Sequence, residues 1–224
     1  MMNKQIFCAA AAPALVLAAC APDAEQTETS KANIAAPPAQ DAFFAALSSH
    51  CGKAYAGQLV SDDPADADFV GAAMVMHVRE CSDTQIAVPF HVQQAGEWDR
   101  SRTWLITRTE NGLRLKHDHR HKDGKDDAVT MYGGDTADAG SASAQDFPVD
   151  GFSVEMFKRE GLSASVTNVW TVEVDPAGAE RAQFAYQLRR TQAGGAPEDR
   201  LFRVEFDLSQ PVDAPPAPWG WGAQ

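Results

Sequence analysis

Three histidines stand at alternate positions in one stretch of the chain, His117, His119 and His121. If that stretch is a β-strand, alternate residues share a face, so the three imidazoles point the same way. Neighbours in this set are about 7 Å apart along the backbone and can grip one metal ion, whereas His117 and His121 are about 13 Å apart and cannot easily share one. Two imidazoles from one strand suit zinc or copper. A site would then need a further ligand from elsewhere, and His77 and His91 are the candidates. The alternative is that the three histidines form a half-buried polar edge packed on Trp104.

The same region offers a second chemistry. Between Arg100 and Lys125 there are eight basic residues against Glu110, Asp118 and Asp123, a local excess of +5 in a chain of formal net charge −12. A basic ribbon on an acidic body can hold an anionic ligand or headgroup. Arg102 and Trp104 on one face, with Arg114, Lys116 and Arg120 on the other, are the expected ligand contacts. The competing expectation is that the ribbon pairs with the protein's own acidic loops, Asp62 to Asp68 and Asp123 to Asp127. The first of these loops lacks the ordered Asp-x-Asp-x-Asp-Gly layout of a calcium site and reads as solvated.

The element that must position these groups is a hairpin. Thr103 to Thr109 and Leu113 to His121 flank Asn111-Gly112, a strong two-residue turn signal. With that turn, Glu110 faces Leu113, Ile106 faces His117, Trp104 faces His119 and Arg102 faces His121. One face then holds Trp104, Ile106, Leu113, Leu115 and the histidines, and it should point inward.

Around the hairpin, period-2 alternation predicts further strands. Ala54 to Val60, Ala72 to Arg79, Gln85 to Val92, Ala128 to Tyr132, Ser165 to Val174, Arg181 to Arg190 and Leu201 to Leu208 complete a set of about nine. Pro89 argues for an edge or a bulge in its strand. Asp135 to Asp146 reads as a small-residue loop. Asp41 and Asp150 are expected to cap two short helices. The expectation is a mainly β domain over about 41–210, a single antiparallel meander closed into a small barrel or stacked as a β-sandwich. This architecture is loosely similar to the calycin (lipocalin-like) group. The Gly-x-Trp signature of lipocalins is missing at the first strand, so no ligand is carried over from that family. After the domain, Pro211 to Gln224 should be irregular. Its Trp219 and Trp221 either fray with it, fold back on the domain or dock a partner.

The start of the chain assigns a compartment. Lys4, an apolar run from Ile6 to Leu17 and small residues ending at a cysteine have the layout of a secretory signal over 1–19. The apolar run is shorter than the roughly 20 residues a membrane-spanning helix needs. Leu17-Ala18-Ala19-Cys20 resembles the lipobox of bacterial lipoproteins. That resemblance implies cleavage before Cys20, acylation of its thiol and a membrane anchored through N-terminal acyl chains. With Ala21 after the cysteine instead of Asp, it implies the periplasmic face of the outer membrane. Residues 20–40 then form a flexible tether of Ala, Pro, Glu, Thr and Ser. Removing the signal takes away one basic residue, so the remaining chain holds 18 basic and 31 acidic residues. Such an acidic chain is a poor partner for nucleic acid.

Of the four cysteines, Cys8 leaves with the signal and Cys20 takes the lipid. Cys51 and Cys81 remain in an oxidising compartment and are expected to pair. The strand reading supports this, because the two residues bracket the first pair of strands and meet at the open end if these form a hairpin. No HExxH, phosphate-binding glycine loop, dinucleotide fingerprint or Gly-x-Ser-x-Gly elbow is present. The residues therefore favour a non-catalytic binding module for a small or anionic ligand. The alternatives are a structural or protein-docking lipoprotein of the envelope, and a metal-binding protein or metal-dependent enzyme using His117 and His119.

Overall fold

The computed structural model describes residues 38–222. The expected signal, Cys20 and most of the expected tether lie outside them. Among the described residues eleven strands form one antiparallel sheet: β1 (Ala54–Leu59), β2 (Met74–His77), β3 (Glu80–Cys81), β4 (Gln85–Gln94), β5 (Glu97–Thr109), β6 (Gly112–His119), β7 (Tyr132–Asp135), β8 (Ala144–Pro148), β9 (Val169–Val174), β10 (Gln183–Arg190) and β11 (Arg200–Val212). Their spatial order is β7-β6-β5-β4-β2-β1-β11-β10-β9-β8, with β3 alongside β4. The two ends, β7 and β8, approach each other closely. One bridge, Gly134 to Val149, and the Asp150 N–H bond to the Gly133 carbonyl at 2.9 Å nearly close the sheet into a barrel. No described helix is long and apolar enough to cross a membrane.

Alternation explains the inside. Ile86, Val88, Phe90 and Val92 of β4, Trp170, Val172 and Val174 of β9, and Phe202, Val204, Phe206 and Leu208 of β11 are all buried. Trp104 lies at the centre. Its ring stacks on Tyr186 at 4.4 Å and on Phe90 at 4.9 Å, so it ties β5 to β10 across the interior as well as to β4 beside it. The barrel is a packed core, not an open channel.

Two strands depart from the expected positions at the seam. Ala128 to Met131 is irregular, and β7 instead runs through Gly133-Gly134. A Cβ on Gly133 would lie 1.9 Å from the Leu115 carbonyl oxygen, and one on Gly134 would lie 1.8 Å from that of Pro148. Only glycine permits this approach, so the two glycines just past the expected strand form the closing strand. Facing it, β8 arises inside the stretch expected to be a loop. Pro89 is not on an edge strand but lies at a gap in the ladder on one side of β4. It pairs with Thr103 of β5 on one side, while on the other β4 changes partner from β2 to β3. A missing N–H falls where no ladder bond is required.

Helix α1 (Ala39–Ser48) has Pro38 at its N-cap, and Asp41 sits in the first turn paired with Arg108. Asp150 does cap α2 (Gly151–Arg159), accepting the Ser153 N–H at 2.8 Å. Cys51, just past α1, is bonded to Cys81 in β3.

The C-terminal segment is not frayed. β11 continues to Val212, and residues 213–222 turn back as a strap over the outer side of the β5–β6 hairpin. Arg100 donates to the Ala217 carbonyl at 2.7 Å, and the Trp219 N–H donates to the Arg100 carbonyl at 3.1 Å. Arg79 donates to the Gly222 carbonyl at 2.9 Å and the Trp221 indole to Asp118 at 3.1 Å.

The disulfide closes a loop with a sequence separation of 30. Replacing both cysteines by serine should lower unfolding free energy by about 3–4 kcal/mol through the unfolded chain. Denaturant titration checks this; an unchanged midpoint would show that the helix and β3 are held without the bond.

Candidate functional site

The β5–β6 hairpin sets the site. Its turn is Glu110-Asn111 rather than Asn111-Gly112, with Thr109 paired to Gly112. A two-residue type I′ turn would require φ > 0 at both central residues. Here the positive φ falls on Gly112, at 139°. The Thr109 side chain holds the turn, donating to the Gly112 carbonyl at 3.1 Å and accepting the Asn111 N–H at 3.3 Å. Arg102 therefore faces His119 and Trp104 faces His117, a slip of two residues from the expected pairing. An even slip preserves the faces, so the inward set is as expected up to His119. His121 lies past the end of β6 and is exposed, 3.7 Å from Asp127.

His117 is 2% exposed. Its Nδ1 faces the Tyr132 carbonyl at 3.0 Å, which can only accept, so Nδ1 carries the proton. Its Nε2 then accepts from the Tyr186 hydroxyl at 2.7 Å. The ring stacks on Tyr132 at 4.4 Å. Burial above all drives its pKa down to about 3. His119, whose Nε2 faces the Tyr132 hydroxyl at 3.3 Å, is lowered to about 4, first by burial and then by the nearby Arg102 charge. Both nitrogens of His117 are engaged, so this ring offers no lone pair to an ion. His91 lies on the outer face of the sheet and cannot join the inward pair. Among the described residues, no group of three or more His, Cys, Asp or Glu side chains is placed to hold a metal ion.

What the inward face builds is a cleft of about 170 Å³ at the barrel end. Phe69, Phe90, Trp104, Tyr186 and Phe202 supply aromatic walls, and Arg102, His119, Tyr132 and Arg200 supply polar groups. Arg102 donates through Nη1 to Asp99 and lies 5.8 Å over the Phe69 ring. Its remaining N–H groups have no protein acceptor among the described residues. Arg200 is held by Asp66, 2% exposed, and by Asp63 at 3.1 Å. The acidic loop expected to be solvated thus folds as a 3-10 turn (Pro64–Phe69) that delivers Phe69 and a buried carboxylate to the mouth.

The other expected ligand contacts are used internally. Arg114 binds Asp135 at 2.6 and 2.8 Å, Lys116 binds Asp150, and Arg120 binds Asp118 at 3.0 Å. The outward basic face is neutralised by the protein's own acids, though by Asp118, Asp135 and Asp150 more than by the two loops expected to do so. Arg102 and Trp104 alone of that set reach the cleft. Tyr186 and Phe202 were legible as inward strand residues, but nothing in the sequence joins Asp66 to Arg200.

His91 is fully buried on the outer face, with neither ring nitrogen bonded within the described residues, and burial first lowers its pKa to about 4. For His91, His117 and His119 the folded value lies below the ordinary 6.5. The unfolded chain therefore takes up protons below pH 6.5 that the fold refuses until about pH 4 or 3. Stability is greatest above pH 6.5 and falls with acid through that window. Each ring contributes about 1.4 kcal/mol per pH unit there, so unfolding free energy should drop by on the order of 5 kcal/mol from pH 7.5 to pH 5. Denaturant midpoints at the two pH values check it; equal midpoints would refute the neutral buried imidazoles. No family model, curated protein or solved structure matches this chain.

Proposed function

We propose that this protein is a lipid-anchored envelope protein, facing the periplasm, whose barrel end binds a small planar organic acid. The observation that carries this reading is the aromatic cleft with a partly free guanidinium at its rim. Stacked rings offer flat apolar walls to a planar ligand. Arg102 keeps N–H donors available for a carboxylate, and a guanidinium matches that group's geometry. The volume, about 170 Å³, is below the usual range for drug-sized ligands and suits a single ring or a short acid. The interior behind Trp104 is filled, so the ligand sits at the mouth and does not enter the barrel. The neutral His119 and the Tyr132 hydroxyl add hydrogen-bonding groups beside the carboxylate position. Nothing in this arrangement calls for a reaction, and the reading is of a binding module.

The anchor follows from the lipobox resemblance at Leu17 to Cys20. With more than one acyl chain, each buried CH₂ adding about 0.8 kcal/mol, attachment would be stable. In a bacterial host fed labelled palmitate, the intact chain should carry label and Cys20→Ser should not. Label retained in Cys20→Ser would remove the lipoprotein assignment.

For the cleft, titration with benzoate, 4-hydroxybenzoate and the neutral benzyl alcohol, read by quenching of tryptophan fluorescence and by calorimetry, separates the contributions. The acids should bind more tightly than the alcohol. Arg102→Ala should weaken the acids roughly tenfold, the effect of losing one charge-assisted hydrogen bond of about 1.5 kcal/mol. Failure of both acids to bind, or equal binding in Arg102→Ala, would retire the proposal.

A further inference from the structure

A second cleft lies beside the first at the same end of β5 and β6, sharing no lining residue with it. It is an open groove of about 310 Å³ between the β4–β5 hairpin and the C-terminal strap. Two tryptophans line it, Trp98 from β5 and Trp219 from the strap, and both are partly exposed. Each is placed by a specific device. Arg102 pairs with Phe90 and Asp99 with Val92, so β5 makes three steps where β4 makes two. That extra residue is a bulge that flips the phase of β5. It turns Asp99 toward the mouth beside Arg102 and leaves Trp98 on the outer face, against His91 with ring centroids 6.5 Å apart. Trp219 is fixed through its N–H, which donates to the Arg100 carbonyl, and through Ala217 two residues earlier, whose carbonyl accepts from the Arg100 guanidinium.

The groups around the two indoles select a ligand class. Glu97 and Asp127 face the groove together with Arg120 and Lys122, while the Asp99 carboxylate at its edge is taken by Arg102, so neither sign of charge dominates. The Glu97–Lys122 pair is 3.4 Å apart with both side chains three-quarters or more exposed, and such pairs are weak and easily rearranged. An anion would meet two carboxylates, a cation two basic groups, and a purely apolar molecule a charged rim. A neutral ring bearing hydroxyls meets none of these penalties. Its C–H face can lie on an indole, and its hydroxyls both donate to carboxylates and accept from Arg, Lys and His. Lys122 already lies 5.9 Å over the Trp219 ring, on the face such a ligand would compete for.

We infer that this groove is a binding site for a neutral oligosaccharide, separate from the mouth and using Trp98 and Trp219 as stacking platforms. It gives the C-terminal strap a purpose beyond covering the sheet, because the strap carries one of the two platforms.

The test uses the full chain with chitotriose, cellotriose and maltotriose as probes. Saturation-transfer NMR and tryptophan fluorescence report binding. At least one trisaccharide should bind, and Trp219→Ala should weaken it roughly tenfold, the loss of one aromatic stacking contact. Trp98→Ala should do the same. Since the anchoring strap bonds that involve Trp219 come from its backbone, Trp219→Ala should keep its fold, which circular dichroism would verify even if Trp98→Ala disturbs the hairpin. Absence of saturation transfer from all three trisaccharides would overturn the inference. So would binding that is unchanged in a folded Trp219→Ala variant.

Discussion

The sheet is closed by side chains more than by backbone. Between β7 and β8 the ladder has shrunk to one bridge and one flanking hydrogen bond. A sheet with two such ends would splay if its interior were soft. The stack centred on Trp104 prevents this, because it joins rings from β4, β5 and β10, and Phe184 and Phe206 extend it. Burying rings of this size contributes stabilisation through area, and the offset stacked geometry adds about 0.5–1.5 kcal/mol per pair. Everything at the mouth depends on that stack. Trp104 is at once the cleft's floor and the centre of the core, so the site cannot deepen without dismantling the barrel.

The histidines follow from the same packing. A strand that must lie against an aromatic core can carry His117 only if its polar nitrogens are satisfied, and Tyr132 and Tyr186 do so. An imidazole held this way is a polar spacer in the core, with its protonated form excluded by burial. Spacing alone could not separate this from a ligand pair, since alternate histidines on a strand look the same in either case. The difference lies in the carbonyl of Tyr132 and the hydroxyl of Tyr186, which come from other strands.

Sequence pattern carried the fold a long way. The inward residues of β9 and β11 obey period 2 and are the buried ones, while β4 keeps the same inward set but is buried on both faces. The pairing of Cys51 with Cys81 was also readable, because it required only the first two strands to be neighbours. Reading failed where a local rule yielded to a distant contact. The strand expected over Ala128 to Tyr132 moves onto Gly133-Gly134 because the carbonyls of Leu115 and Pro148 press on it from both sides. Asp66 looks solvated until Arg200 arrives from the last strand. Arg114, Lys116 and Arg120 form a basic face in the linear chain, yet the carboxylates that neutralise two of them stand on elements folded beside the hairpin. The turn offers a milder lesson: Asn111-Gly112 marked the hairpin correctly, but the Thr109 side chain shifted the pairing by two, and the face survived only because two is even.

One inserted residue has the widest consequence. Without the bulge near residue 100, strict alternation along β5 would put Trp98 and Arg100 on the same face as Arg102, toward the barrel end. The Arg102 guanidinium would lose Asp99 as its partner and would meet Arg100 instead. Two like charges beside an aromatic cleft would repel, and an unpaired half-buried guanidinium is costly. With the bulge, Asp99 turns in to orient Arg102, while Arg100 turns out to hold the strap through Ala217 and Trp219. The same backbone step therefore prepares the inner cleft and anchors the outer groove. Deleting it would not remove one site and spare the other; it would exchange the partners of both arginines at once, which ties the two faces of β5 to a single feature of its backbone.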